Sequence, residues 1–389
     1  MKIVFTTHTY WPRKDGVQYV TQYMAEGLVK RGHQVVVFAP QGKSKETITE
    51  EHNGVRIIRP FFKQKFTLYF GKNRSYKEAL LDQCKDSDCM INCAVQSPFN
   101  NFVLPLLSNI NVQKVLYLHG VYDYRFPQNM RAKAIIKKAL LNVRWFLFYH
   151  RNASRFSRYD KMINITQDSL NSNFFKKIGV FVPTYIINNA VEDFDKVKQM
   201  ANVLERLALT GKKYFLNVAN FNERKNQLML IKAYAEFYKK TNMDVHLVLI
   251  GGTIGTDGYE YANECKALIS ELNCKSKIHF LENMPREDTK VLIKSCYCAV
   301  MSSTYEVYPI FLAESLSCAH PFISTNVGSV NQMAGGIVVN NCQEFVRSMI
   351  KITSDDNCYH DLMIEGKEYA QKHFSQEEKI IELEKVLID

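Results

Sequence analysis

Two glutamates, Glu306 and Glu314, stand with seven residues between them in the stretch STYEVYPIFLAESLSCAHPFISTNVGS, residues 303 to 329. The first falls in a polar turn. The second lies about one turn into an apolar run, Ile310, Phe311, Leu312, Ala313 and Leu316, whose spacing is helical. Both carboxylates can then face one cleft at a helix N-terminus. A phosphorylated sugar suits that arrangement, because the exposed amides and positive end of the helix meet phosphate while carboxylates accept hydrogen bonds from sugar and ribose hydroxyls.

Three further places carry candidate chemistry. The loop TTHTYWPRKDGVQYV, 6 to 20, joins the first expected strand to its helix, and Gly16 at the helix entrance would let a phosphate approach backbone amides. It lacks the GxGxxG series of a dinucleotide fingerprint, and one glycine at a helix start is by itself more often a turn residue. His119 ends the run KVLYLHG and is followed by Gly120; a lone histidine is more often a packed or surface residue, and one at a sheet's carboxyl edge could donate to a substrate hydroxyl or phosphate. In NVANFNERKNQLMLIKAY, 217 to 234, Arg224 and Lys225 stand just before an apolar helix face. Positive charge there is mildly repelled by the helix dipole, a conflict that an anionic ligand removes.

The elements that must position these residues alternate. KIVFTT, a helix over 17 to 32 and HQVVVFAP form a strand, helix, strand unit of the parallel α/β kind. Strands are expected at 55–60, 89–95, 114–120, 161–166 and 185–191, and a second series at 214–220, 245–252, 277–283, 298–303 and 321–326. The polar stretch 192 to 213 is the expected interdomain connection, which divides the chain into domains 1–195 and 196–374. A helix over 375–389, opened by Ser375 as N-cap, completes it and is a candidate to fold back on the first domain.

With 389 residues, 46% of them apolar, the chain suits two cores of about 150 to 200 residues. Its net charge of +11 favours anionic partners. Nucleic acid is set aside, since no helix-turn-helix, RNA-recognition or zinc-finger pattern accompanies the charge. The ten cysteines include no CxxC pair and read as reduced core thiols, so no metal site is expected. The opening MKIVFTTHTYWP lacks the apolar run of a signal peptide and no run reaches a membrane span, so the expected location is the cytosol or the cytosolic side of a membrane, held peripherally. Two segments, 61–77 and 137–158, mix basic and aromatic residues. The second, with Trp145, Phe146, Phe148 and Tyr149 near Lys137, Lys138, Arg144 and Arg151, fits either an anionic membrane interface or a core-facing helix with charged flanks.

Taken together these residues resemble family 4 of the retaining glycosyltransferases over nearly the whole chain. YEVYPIFLAESLSCAHPFISTNVGS is similar to the family signature, in which two glutamates flank a short turn and an apolar run and precede Ala-Cys-Gly-Pro and a strand ending in Gly-Gly. The resemblance implies the GT-B fold, two Rossmann-like doubly wound domains facing each other across a cleft. It further implies a nucleoside diphosphate sugar as donor, a glycan or lipid-linked acceptor, no metal or other cofactor, and a role in surface polysaccharide assembly. By the same resemblance Glu306 contacts the transferred sugar and Glu314 the ribose, Lys225 binds the diphosphate, and His119 faces the donor sugar. Gly16 is then the glycine of the first loop, and 186–191 falls on the family's Ile-Pro-Asn-Gly-Val segment. Arg224, Ser303, Ile310 and Phe311 complete the donor-binding set, with Glu306 and His119 as the catalytic pair.

The chain departs from the family pattern at Asn220, where an arginine is usual, and Arg224 is the neighbouring candidate for the same oxygens. Val307 and Pro309 replace glycines, and Ser329 and Gln332 replace a glycine and a glutamate. Two other readings keep the fold: a nucleotide-sugar 2-epimerase, and a degenerate module that binds without catalysis.

Overall fold

The computed structural model describes residues 1–13, 15–41, 46–65, 68–69, 71–126, 132–166, 170–192, 194 and 202–389. Two compact units emerge, one of Met1–Asn189 with Gln376–Asp389 and one of Ala190–Ser375. The boundary expected after residue 195 lies outside the described residues.

In the first unit β1 (Lys2–Thr7), β2 (Gln34–Phe38), β3 (Ile48–His52) and β4 (Val55–Arg59) are followed by a short hairpin, β5 (Gln64–Lys65) and β6 (Leu68–Tyr69). Then come β7 (Cys89–Cys93), β8 (Gln113–Leu118), β9 (Lys161–Asn164) and β10 (Thr184–Ile186). Among the described residues the main sheet has the order β10-β9-β8-β7-β1-β2-β4-β3, parallel throughout except for the β3–β4 pair. Its central strands are apolar runs buried on both faces, the condition under which a parallel sheet is stable. The antiparallel β3 and the β5–β6 hairpin were not among the expected strands, and their polar residues explain why.

Helix α1 (Gly16–Lys30) crosses over from β1 to β2, capped by Asp15, whose side chain accepts from the Gln18 amide at 2.9 Å. Helix α2 (Ala132–Phe156) turns Trp145, Tyr149 and Phe156 into the core, where they meet Phe174 and Phe175 of α3 (Leu170–Lys177). Of the aromatic residues in the basic segment, then, Trp145 and Tyr149 are core residues, and Phe146 points outward. The C-terminal helix (Gln376–Ile388) belongs to this first unit. Glu384 receives Arg31 at 2.6 Å and His33 at 2.6 Å, and Lys161 donates to the Val386 carbonyl at 2.7 Å.

Among the described residues the second unit holds a six-stranded parallel sheet in the order β13-β12-β11-β14-β15-β16. Its strands are β11 (Lys213–Val218), β12 (Val245–Gly251), β13 (Ile278–Glu282), β14 (Cys298–Met301), β15 (Phe322–Thr325) and β16 (Gly336–Val339). Helices α4 (Gln227–Thr241), α5 (Arg286–Ser295) and α6 (Ile310–Ser317) follow β11, β13 and β14. Two apolar clusters, one on Phe215, Leu247 and Tyr234, the other on Leu216, Val248 and Leu312, cover the two faces. The strand order reverses between β11 and β14, which are paired, and doubly wound sheets bind ligands at such a reversal.

The C-terminal helix approaches α1 through Gly27, where an added Cβ would lie 2.1 Å from Ile380 Cδ1. Gly27→Ala should therefore destabilise the protein by about 1 to 3 kcal/mol through overpacking, reduced by the roughly 1 kcal/mol that alanine gains in a helix. Urea unfolding of Gly27→Ala with and without Ile380→Val checks this: the alanine should cost less where Ile380 has lost its terminal methyl, and simple additivity would count against the contact.

Candidate functional site

The β11–β14 reversal brings the loop after β11 against the loop after β14. Hydrogen bonds to backbone carbonyls fix the two together: the Thr304 amide donates to the Arg224 carbonyl at 2.8 Å, and Ser302 Oγ donates to the carbonyls of Lys225 and Asn226 at 3.0 and 2.9 Å. Asn226 takes a left-handed φ of +53° to start α4, which leaves Lys225 turned back toward the sheet edge. Its ammonium forms an ion pair with Glu306 Oε1, and Ser303 Oγ donates to the same oxygen at 2.7 Å. Ser303 in turn is held by Thr325, whose hydroxyl donates to the Ser303 carbonyl at 2.6 Å. Three residues nominated by the sequence, Lys225, Ser303 and Glu306, thus meet at one point.

Glu314 sits in α6, only 3% exposed, surrounded by the apolar residues that the helix buries. Its neighbours in charge come from two other segments. The Arg286 guanidinium, at the start of α5, bridges both carboxylate oxygens, Nη1 to Oε2 at 3.3 Å and Nη2 to Oε1. Arg286 also lies 3.8 Å from Glu192, which Lys290 pairs. Burial pushes the Glu314 carboxyl above the ordinary range, with Arg286 and Lys290 opposing and Glu192 reinforcing the shift. Nothing in the sequence pattern nominated Arg286 or Glu192. Their only signal is retrospective, since a glutamate in so apolar a run requires a cation from elsewhere.

The remaining donor-side candidates surround this frame. Ile310 is half-buried and Phe311 buried at the first turn of α6, where Pro309 in the N-cap position supplies no side-chain cap. Arg224 is exposed and engages the other loop through its carbonyl. Asn220 is exposed beyond β11, and its Oδ1 would lie 3.1 Å from a Cβ placed on Gly252. Gly328, at φ +56°, passes so close to the signature turn that a Cβ would come within 2.6 Å of the Glu306 carbonyl oxygen. A side chain there would displace Glu306.

In the first unit the strand order reverses between β1 and β7. The loop after β1 carries His8, and Gly16 is the first residue of α1. The helix start is already occupied by the Asp15 carboxylate, an acceptor that the expectation of a phosphate there did not include. Arg59 shapes this loop, bonding to the Trp11 and Pro40 carbonyls and to Glu50 at 2.6 Å, while Trp11 stacks on His52. His119 follows β8, stacked on Tyr117 with 4.9 Å between ring centres. Burial, with His8 adding, pushes its pKa down to about 4, so the ring is neutral near pH 7. His119 Nε2 and His8 Nδ1 are buried with no partner among the described residues. After β7, Ala94 and Gln96 hold positive φ of +70° and +73°, a backbone strain the sequence did not announce and one that gathers at functional sites.

A cavity of about 290 Å³ in the same unit lies beneath α3, lined by Leu118, Met162, Asn164, Phe175 and Phe181 among others, and none of the nominated residues reaches it. No cluster of three or more His, Cys, Asp or Glu suited to a metal ion is present among the described residues.

Comparison with known proteins settles the kinship. Residues 199–369 match the model for glycosyl transferases group 1, and residues 14–163 that for Glycosyltransferase Family 4. The chain belongs to family 4 of the glycosyltransferases and has the GT-B fold. It is 23% identical to the alpha-1,3/1,6-mannosyltransferase ALG2 of Dictyostelium discoideum over 49% of this chain and 50% of the relative. It is 32% identical to the N-acetylgalactosamine-N,N'-diacetylbacillosaminyl-diphospho-undecaprenol 4-alpha-N-acetylgalactosaminyltransferase of Campylobacter jejuni over 36% of this chain and 34% of that one. These alignments span half or less of the curated relatives. The structure of Anabaena Alr3699/HepE with UDP-glucose superposes with a TM-score of 0.72 at 15% identity, covering 100% of this chain and 99% of that chain, which shows the fold.

Within this family 4 protein, the Arg286–Glu314 pair makes a pH prediction. A carboxylate whose folded pKa is raised gains a proton as pH falls through that raised value, and then offers ligand hydroxyls one fewer acceptor. If Glu314 accepts ribose hydroxyls, as the resemblance implies, affinity for a nucleoside diphosphate should fall at the acidic end of a calorimetric series from about pH 5 to pH 9, and Arg286→Met should move that fall to higher pH. Glu314→Gln should flatten the profile. An Arg286→Met profile superimposable on the native one would show that the arginine does not govern the Glu314 charge.

Proposed function

We propose that this protein is a retaining hexosyltransferase that moves a sugar from a nucleoside diphosphate sugar to a glycan or lipid-linked acceptor in surface polysaccharide assembly. The observation that carries the reading is the Lys225–Glu306 pair at the β11–β14 reversal, with Ser303 on the same carboxylate oxygen. In the unliganded chain each group neutralises the other. A sugar diphosphate offers both a better match: phosphate oxygens for the ammonium, sugar hydroxyls for the carboxylate.

The residues divide the reaction as follows. Lys225, assisted by Arg224 and the amides opening α6, stabilises charge on the departing diphosphate, the electrostatic contribution that dominates acyl- and phosphoryl-type transfers. The proposal therefore assigns no metal or other cofactor. Glu314 accepts the ribose hydroxyls and Glu306 orients the transferred sugar. His119, neutral near pH 7, offers a single N–H or lone pair to the sugar. The acceptor hydroxyl attacks from the face the diphosphate leaves, its proton passing to the leaving oxygen, so that configuration is kept without a glycosyl-enzyme bond.

Support for the partners comes from similar proteins: Alr3699/HepE has been solved with UDP-glucose, and the name of the Campylobacter relative places a diphospho-undecaprenol in its substrate. A lipid-linked acceptor would put this protein on the cytosolic face of the cell membrane. Among the described residues no helix is long and apolar enough to cross it.

Calorimetry against UDP, GDP, ADP and their sugars tests the reading. Glu314→Ala should weaken nucleoside diphosphate binding by about 1.5 to 3 kcal/mol, the worth of hydrogen bonds to a charged group, or roughly 10- to 100-fold. Glu306→Ala should leave that affinity intact or raised, since it frees Lys225, while depressing nucleoside diphosphate release in the presence of acceptor. Equal losses of diphosphate affinity in the two variants would contradict the division of roles. Conversion of the nucleotide sugar without any acceptor would indicate an epimerase.

Arg224 decides how the chain manages with Asn220. If Arg224 reaches the diphosphate, Arg224→Ala should lower affinity about as much as Lys225→Ala, each removing one charge-assisted contact of roughly 1.5 to 3 kcal/mol. Titration of both variants with the same nucleotide measures the ratio.

A further inference from the structure

Helix α2 carries two apolar faces. One, with Trp145, Tyr149 and Phe156, fills the core of the first unit. On the opposite side Ile136, Leu140, Val143 and Leu147 recur every three or four residues, and each is between 43% and 67% exposed. A helix lying on a globular surface ordinarily turns charged or polar residues outward. Phe146, 52% exposed, widens the outward stripe.

Charge is as one-sided as exposure. From 132 to 156 the sequence AKAIIKKALLNVRWFLFYHRNASRF contains six lysines and arginines and not one acid. Lys137, Arg144 and Arg151 fall seven residues apart and so run along one flank of the stripe. Lys138 is committed inward, donating to Tyr122 Oη at 3.0 Å. An apolar band edged by cations matches the boundary of a bilayer, where hydrocarbon lies a few ångströms below anionic headgroups.

We propose that the outward face of α2 is a docking surface for an anionic lipid bilayer, the helix lying in the headgroup plane with Ile136, Leu140, Val143 and Leu147 inserted. A protein partner would need a face both apolar and acidic, whereas an anionic membrane supplies both properties at once. The inference rests for its purpose on the lipid-linked acceptor of the preceding section, since a transferase seated on the bilayer meets such an acceptor in two dimensions. Its evidence is independent of that reading.

Sedimentation with vesicles of phosphatidylcholine, with and without phosphatidylglycerol, tests the surface. The protein should bind the anionic vesicles at low salt and leave them at high salt, as screening shortens the reach of the cations. Neutralising Lys137, Arg144 and Arg151 to glutamine should weaken partition about 100-fold, at roughly 1 kcal/mol per cation near an anionic surface and 1.4 kcal/mol per tenfold. Replacing Ile136, Leu140, Val143 and Leu147 by serine should abolish binding while leaving the unfolding midpoint near native, because these side chains leave the core untouched. Leu140→Trp supplies a reading that does not depend on that fourfold variant: its emission should shift to the blue on anionic vesicles and be quenched by brominated acyl chains. Absence of binding at low salt, undiminished binding of the serine variant, or an unquenched Leu140→Trp would overturn the proposal. So would a native dimer that the serine variant turns into a monomer, since the stripe would then be covered by a second copy. Vesicle binding lost with nucleotide affinity intact rejects the docking surface alone, and the reverse result rejects the sugar-transfer reading alone.

Discussion

A carboxylate taken out of water must be answered by a cation, and in the second unit that demand links three segments distant in sequence. Glu314 is buried by the apolar helix that carries it, and Arg286 from the start of α5 reaches both its oxygens. Arg286 and Lys290 are in turn shared with Glu192, just after the first residues of the unit. An ion pair of this kind adds little to stability, because desolvation offsets most of its Coulomb energy. What it does fix is orientation: the fork of a guanidinium holds a carboxylate in one plane. The Glu314 carboxylate is therefore held in one orientation, and the entropy of ordering it is already spent in folding.

The two sheets solve the same problem in the same way. Each reverses its strand order, between β1 and β7 in one and between β11 and β14 in the other, so that two loops diverge and leave room at the carboxyl edge. In the second unit that room is furnished with charge, Lys225 against Glu306. In the first it is furnished with neutral polar atoms that have no partner among the described residues, His119 Nε2 and His8 Nδ1, beside a strained turn at Ala94 and Gln96. Unpaired buried polar atoms cost free energy. Their retention at a strand reversal is the kind of local penalty that functional sites carry.

How much of this the sequence disclosed follows from how each signal is written. Buried parallel strands are continuous apolar runs, so β1, β2, β7, β8 and the second series could be read directly, and the glutamate pair declared itself by spacing. The β5–β6 hairpin and β3 lack such runs, and β16 is four residues long. Lys225 and Glu306 were nominated singly; that they pair is a fact of β11 lying beside β14, a neighbour relation absent from the linear order. Arg286 and Arg59 escaped for a related reason. Their roles are defined by the carboxylate or carbonyls they meet, and a lone arginine at the end of a strand or the start of a helix looks like any surface charge. The basic helix was half legible: its composition showed aromatic and cationic residues together, but the aromatic Trp145 and Tyr149 turned inward and the aliphatic residues outward.

The order in which the chain leaves the ribosome meets one feature of this architecture awkwardly. The first unit is finished only by Gln376–Ile388, a helix synthesised after the whole of the second unit. Until then α1 lacks Ile380 against Gly27, Lys161 lacks the Val386 carbonyl, and Arg31 and His33 lack Glu384. Domains made during synthesis usually fold from the N-terminus onward. Here the second unit can close while the first still waits for Gln376–Ile388, so the face of α1 at Gly27 stays without its Ile380 neighbour until that helix has been made.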